Sequence, residues 1–288
     1  MFVSDNTVVQ LFSYLSAGLL DQYDDREALN VAQLCFDEFL GLSRVDLVMK
    51  AEERLSESEI LKIHHCLKEL KKGRPVQYVI GYTEFYGLKI EVNESVLIPR
   101  PETEELVAWV VETVNSKYPT ILDLCTGSGC IALALKHAIP DATVHASDVS
   151  KPALDVAYRN SISHALDVQF QEGDILQGQP ELSGLDIIVS NPPYVGENER
   201  NTLHPRVLDH EPNLALFSSG DPLKFYRTIA SYAVTQLCPG GVLFFELAEK
   251  YAQDIAQIVD QAGLQNAEVR SDISGRPRML RAQRPLDS

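Results

Sequence analysis

The chain has 288 residues, of which 45% are hydrophobic and 23% charged, with a formal net charge of −16. That composition suits a folded globular protein, and no run approaches the roughly 18 apolar residues of a membrane span. A strongly acidic balance excludes a protein that tracks a phosphate backbone on a basic surface, and leaves a protein partner open.

The opening "MFVSDNTVVQ" has no basic region followed by an apolar stretch, so no secretory signal is expected. The cysteines Cys35, Cys66, Cys125, Cys130 and Cys238 are odd in number and match no zinc spacing, which predicts reduced thiols in the cytoplasm and no metal. Up to about Arg74 the pattern is helical. Val8, Val9, Leu11, Phe12, Leu15, Leu19 and Leu20 recur at helix spacing, and Gly41 closes a second helix that carries Val31, Ala32, Cys35 and Phe36. Ser56 with Glu59 forms a capping box before a third. Residues 1–75 are therefore expected to be a small helical domain that holds a partner or caps a site. Residues 76–98, rich in β-branched and aromatic side chains and punctuated by Gly81 and Gly87, read as a β-hairpin linker.

From 99 to 288 strands alternate with helices. Strands are expected at 120–124, 143–147, 167–171, 185–190 and 241–247, and helices at 128–138, 151–165, 222–236 and 250–262. Such alternation implies an α/β fold with a mostly parallel sheet covered on both faces. Two last strands, near 267–271 and 277–283, are joined by the turn "DISGRP" with no helix between, an unusual ending for a nicotinamide-binding fold.

The stretch "TILDLCTGSGCIALAL" reads as strand, glycine loop and helix start. Gly127 and Gly129 let backbone approach a ligand, and the helix start adds unpaired N–H groups. Asp148, ending the next strand, is placed to accept both hydroxyls of a ribose. The run Gly127 to Ala132 fits the dinucleotide pattern, yet the same geometry serves S-adenosylmethionine, and a plain strand–helix turn also uses glycine. Asp123, at the tip of the first strand, separates the two ligands: a carboxylate suits the ammonium of a methionine moiety and repels a pyrophosphate. Asp174 in "EGDIL" is placed to read an adenine amino group, with a solvated loop aspartate as the plain alternative. Ile175 beside it can pack on the ring.

The strand "LDIIVS" runs into Asn191-Pro192-Pro193-Tyr194 at the carboxyl edge of the sheet, where ligands of open α/β sheets bind. The two prolines stiffen the corner and push the residues before them to extended conformations. The Asn191 side-chain oxygen and the Pro192 carbonyl can each take one hydrogen of a planar –NH2 group, and Tyr194 can stack on its flat face. Holding an amide or amino-base nitrogen in line with a sulfonium methyl is positional catalysis needing neither metal nor nucleophilic side chain.

The segments "GRPVQYVIGYTEFYGL", "VLIPRPETEELV", "ILDLCTGSGCIALAL", "DIIVSNPPYV", "HEPNLAL" and "DISGRPR", in that order, resemble the S-adenosylmethionine-dependent protein-glutamine N5-methyltransferases that act on peptide chain release factors. The resemblance covers roughly 73–282. It implies a seven-stranded, Rossmann-like methyltransferase sheet with a terminal antiparallel hairpin. It implies a helical N-terminal domain that docks the release factor, and methyl transfer to the glutamine of that factor's Gly-Gly-Gln loop. It gives Cys125, Thr126, Gly127, Ser128, Gly129 and Asp148 to the cofactor and Asn191 to Tyr194 to the glutamine, with Asn191 near both. Pro99-Arg100-Pro101-Glu102 is expected to line the site. The chain departs from the family in Glu246-Leu247-Ala248, where Glu-x-Gly is usual after the fifth strand, at Pro222 in "GDPLKFY", where Asp-Gly-Leu is usual, and in "GRPR" for Gly-Arg-Asp-Arg. Adenine-N6 nucleic-acid methyltransferases share the Asn-Pro-Pro-Tyr corner, but need a basic cleft and a recognition insert. Neither is evident between Tyr194 and Gly220, so no direct nucleic-acid or membrane contact is expected. A non-catalytic binding module would not need the glycine loop and its acid.

Overall fold

Val8, Leu11, Leu15 and Leu19 recur every three to four residues, and α1 (Val8–Leu19) buries all four. In the computed structural model, which describes residues 6–178 and 180–286, α1 packs with α2 (Asp25–Leu40), α3 (Arg44–Met49) and α4 (Glu57–Leu70), and α5 (Val76–Ile80) packs on α2 and α4. Their core includes Phe36 and Ile63, with Phe12 edge-on to Phe36. Asp24 caps α2, and Ser43 and Ser56 form capping boxes on α3 and α4. The chain divides into two units: one runs to Gly81 and takes in Pro205–His210, the other holds Tyr82–His204 and everything from Glu211. The segment 76–80 is a correction to the hairpin expected over 76–98. Pro75 starts a short helix there, Gly81 ends it at φ 88°, and Val76 and Tyr78 are buried.

The second unit opens with the antiparallel pair β1 (Tyr82–Phe85) and β2 (Leu88–Glu91). Tyr86 and Gly87 between them are both left-handed, at φ 49° and 77°, as a two-residue hairpin turn requires. Then follow α6 (Pro101–Thr113), β3 (Thr120–Leu124), α7 (Cys130–Ala138), β4 (Thr143–Asp148), α8 (Lys151–His164), β5 (Gln169–Glu172) and β6 (Leu185–Ser190). The short α9 (Pro205–His210) and α10 (Asn213–Leu216) precede α11 (Lys224–Gln236), β7 (Leu237–Glu246), α12 (Ala252–Ala262), β8 (Gln265–Ser271) and β9 (Pro277–Gln283). The seven strands are ordered β5-β4-β3-β6-β7-β9-β8. The first five are parallel, and β9 and β8 run antiparallel as the expected terminal hairpin. A core cluster of this unit joins Tyr226, Ile229 and Ala233 of α11 to Leu243 and Phe245 of β7 and Ile255 of α12. Among the described residues no helix is long and apolar enough to cross a membrane.

The register places the site. Ser147, Leu124, Ser190 and Phe245 lie side by side across β4, β3, β6 and β7. The next residue on each strand is Asp148, Cys125, Asn191 and Glu246. Four chemically distinct side chains therefore emerge together at the carboxyl edge, around the switch point where β3 has β4 on one side and β6 on the other.

Candidate active site

A cavity of about 210 Å³ opens over this edge. Cys125, Gly127, Asp148, Asp174, Ile175, Asn191 and Pro193 line it, seven of the residues singled out in the sequence. Val96, Leu97, Pro212, Leu214, Phe217 and Phe225 add apolar wall. A larger hollow of about 490 Å³, lined by Asp186, Cys238 and Arg281 among others, holds none of these residues.

The glycine loop divides its labour. Gly127 is left-handed at φ 55°, and a methyl on its Cα would meet nothing within 4 Å, so this backbone faces open space. Gly129, at φ 80°, instead packs: its missing Cβ would lie 3.0 Å from the Cβ of Ala157. Cys125 is also left-handed, at φ 63°, and burial pushes its thiol up, away from thiolate chemistry. The Asp148 carboxylate accepts the N–H of Gly127 at 2.8 Å through Oδ2 and that of Ser150 at 2.9 Å through Oδ1. Each oxygen keeps a lone pair for a further donor. Burial raises the pKa of Asp148 above the usual carboxylate range. Asp174 is fixed similarly, accepting from Leu176 N at 2.9 Å and Gln177 Nε2 at 2.8 Å.

Asp123, expected to meet the cofactor, is fully buried and is not among the residues lining the cavity. Its Oδ2 accepts from the Thr126 hydroxyl at 2.5 Å and the Ala132 N–H at 3.2 Å, so it ties the loop to the first turn of α7. Its Oδ1 is buried without a partner, and burial pushes the group up to about 7. Thr126, Ser128 and Gly129 shape the loop from behind rather than lining the cavity. An open left-handed glycine, a fixed carboxylate offering two acceptors, and an apolar wall beside Ile175 and Asp174 together fit an adenosine-bearing ligand.

At the corner, Asn191 lines the cavity, while Pro192 is buried and Tyr194 packs against the core cluster. Burial, then the nearby Glu246 charge, pushes the Tyr194 phenol up to about 12, so it stays neutral. The corner is stapled to the end of α10 and the residues after it by Val195 N–H to Leu216 O at 3.0 Å and Ser218 N–H to Val195 O at 2.9 Å. The expectation that Pro99 to Glu102 line the site is corrected as well: Ser95, Val96 and Leu97 do. Arg100 is drawn away to the buried Glu211, at 2.5 Å, whose other oxygen takes the Ile98 N–H at 3.1 Å.

Three contributors, Asn160, Thr103 and Glu246, were not among the expected site residues, although Thr103 and Glu246 lie in stretches that resemble the family. Asn160, 1% exposed, donates to the Ser128 carbonyl at 3.0 Å and accepts from Glu91 N at 2.7 Å, so α8 ties the glycine loop to β2. Thr103 in the first turn of α6 donates to Glu246 at 2.6 Å, and Asn191 Nδ2 lies 3.5 Å from the Thr103 oxygen. Helical spacing could have placed Thr103 near an end of α6, but not opposite the end of β7.

Residues 105–221 match the family described as Methyltransferase small domain, and residues 10–81 the PrmC N-terminal domain. The chain is 40% identical over 269 residues to a release factor glutamine methyltransferase of Flavobacterium psychrophilum, covering 92% of this chain and 94% of that one. It is 39% identical over 277 residues to the release factor glutamine methyltransferase of Bacteroides thetaiotaomicron, covering 96% and 99%. Among solved structures, a methyltransferase from Pyrococcus furiosus superposes with a TM-score of 0.54 at 17% identity, covering 80% of this chain and all of that one, a likeness of fold.

Proposed function

The chain belongs to the release factor glutamine methyltransferase family, and we propose that it moves the methyl of S-adenosylmethionine onto the side-chain amide nitrogen of the glutamine in the Gly-Gly-Gln loop of peptide chain release factors. The observation that carries this reading is the register that sends Cys125 and Asn191 off the sheet side by side, so that the glycine loop and the acceptor corner share one cavity.

S-adenosylmethionine supplies a sulfonium-activated methyl, which is why no strong base is required. In this reading Gly127 and the Asp148 carboxylate hold the ribose end, and Asp174 with Ile175 takes the adenine. Asp123 shapes the loop from below through Thr126. The Asn191 oxygen and the Pro192 carbonyl each accept one hydrogen of the substrate –NH2, while Tyr194 bounds the flat side of the group. Two fixed acceptors favour the positive charge that develops on the nitrogen as it gains the methyl, and that nitrogen then releases one proton. The helical unit is assigned to docking the protein substrate, in the cytoplasm where release factors work.

The test is mass spectrometry of a release factor and of its Gly-Gly-Gln peptide after incubation with S-adenosylmethionine, with DNA offered in parallel. A gain of one methyl on the glutamine supports the reading. Methyl on DNA and none on the factor would overturn it.

A further inference from the structure

The geometry points to Thr103 and Glu246 as a positioning pair that fixes which end of the Asn191 amide meets the substrate, and so makes the corner select a hydrogen-donating –NH2 over a carboxylate. The inference rests on the reading above, in which Asn191 holds the substrate amide.

Thr103 and Glu246 are 2% and 3% exposed. The Thr103 hydroxyl has one proton, and it goes to Glu246 Oε2 at 2.6 Å. Toward Asn191 the hydroxyl oxygen therefore presents lone pairs alone. The atom of Asn191 that faces it, 3.5 Å away, is Nδ2, the donor end. At that distance the contact orients rather than clamps. With Nδ2 turned to Thr103, Oδ1 is left for the substrate. The reversed amide would set Oδ1 against the Thr103 lone pairs and aim Nδ2 at a substrate –NH2, donor against donor. A glutamate in the glutamine's place would meet Oδ1 and the Pro192 carbonyl, acceptor against acceptor. The rim of α6 is held over β7 by Trp109, edge-on to Phe244 with centroids 5.5 Å apart.

This arrangement needs Glu246 ionised. The groups that act on it are the Thr103 hydroxyl, Arg278, Glu102 and Arg100, and its own charge is felt by Tyr194, Tyr226 and Cys130. Burial dominates and pushes Glu246 up to about 7, with the Thr103 hydrogen bond and the two arginines opposing. Once protonated, Glu246 donates to Thr103, the Thr103 proton swings toward Asn191, and the amide loses its preferred orientation.

The experiment compares wild type, Thr103→Val, Thr103→Ser and Glu246→Gln on the glutamine peptide, with the glutamate version of that peptide as competitor. Thr103→Val is expected to lower kcat by about 10- to 100-fold, with cofactor affinity and peptide KM within about threefold. The glutamate peptide should inhibit it at least about tenfold better than it inhibits wild type. Thr103→Ser, which keeps the hydroxyl, should restore both. Glu246→Gln keeps an amide oxygen that can accept the Thr103 proton but cannot titrate, so it should abolish the fall in kcat expected of wild type as pH drops through about 7. Wild-type kcat and unchanged discrimination in Thr103→Val would overturn the inference while leaving the function standing, as would loss of cofactor binding in both Thr103→Val and Glu246→Gln, which would make the pair structural. A wild-type chain that methylates no glutamine would overturn both.

Discussion

Replacing Asp148 by alanine should separate affinity from stability. Its two oxygens already accept the N–H groups of Gly127 and Ser150 at 2.8 and 2.9 Å, which aims their remaining lone pairs at the cavity. A ribose brings two hydroxyls. A hydrogen bond to a charged group contributes about 1.5–3 kcal/mol, and two on one carboxylate are not fully additive, so about 3–4 kcal/mol is at stake. That weakens S-adenosylmethionine by roughly 150- to 1000-fold. Asp148→Asn keeps one acceptor and should lose about tenfold or more. Stability should move much less. Burial raises Asp148 above its unfolded value, so the empty fold is less stable with this group charged. Asp148→Asn removes that charge but turns one acceptor of the Gly127 and Ser150 N–H groups into a donor, so the two effects oppose and its ligand-free melt should shift far less than its affinity for the cofactor. Calorimetry with S-adenosylmethionine and a thermal melt decide the matter together. A dissociation constant within about threefold of wild type, or an affinity loss matched by an equal loss of fold stability, would refute the ribose assignment.

The two loop glycines should fail differently. Gly127→Ala adds a methyl into open space at φ 55°, so the melt should drop by only about 1 kcal/mol while the cofactor weakens at least about tenfold. Gly129→Ala adds the same strain and a 3.0 Å approach to Ala157, so it should cost about 2 kcal/mol or more of stability; equal behaviour of the two in melts and titrations would contradict this division. Asn191→Ala should cut methylation of the glutamine peptide by about 100-fold or more with little change in melting temperature, and wild-type turnover would remove the corner from the chemistry. Stability itself should rise as pH falls from about 8 to about 6. Asp123 and Glu246 both sit near 7 when folded, above their ordinary 3.8 and 4.5, so the folded chain takes up protons there that the unfolded chain does not. The gain should last until carboxylates with lowered folded values, such as Asp46 at about 2 and Asp272, begin to protonate in the unfolded chain. Melts should shift up from pH 8 to about 6 and turn down only below about 4, where the unfolded chain's carboxylates protonate, with a smaller first shift in Asp123→Asn; a downward shift between pH 8 and 6 would contradict the buried-carboxylate argument.

What the sequence displayed and what it concealed follow from distance along the chain. The glycine loop and the Asn-Pro-Pro-Tyr corner are each made by consecutive residues, so their conformational demands are written locally: glycine where φ is positive, proline where an extended corner must stay stiff. The alternation of strands and helices exposed the parallel sheet for the same reason. The pairings that complete the site join Asn191 to Thr103 across 88 residues and Thr103 to Glu246 across 143, and no local pattern encodes them. The burial of Asp123 was not legible because a carboxylate at a strand tip reads alike whether it faces a cavity or the loop behind it. Residues 76–80 misled because Val, Tyr, Val and Ile favour strands, yet Pro75 and Gly81 stand six residues apart and close a short helix between them. The register connects these two levels. Once Leu124, Ser190 and Phe245 share a row, Cys125, Asn191 and Glu246 must leave the sheet as neighbours. The buried acid then sits beside the corner because of strand pairing, and its unfavourable burial is tolerated where the Thr103 hydroxyl can use its charge.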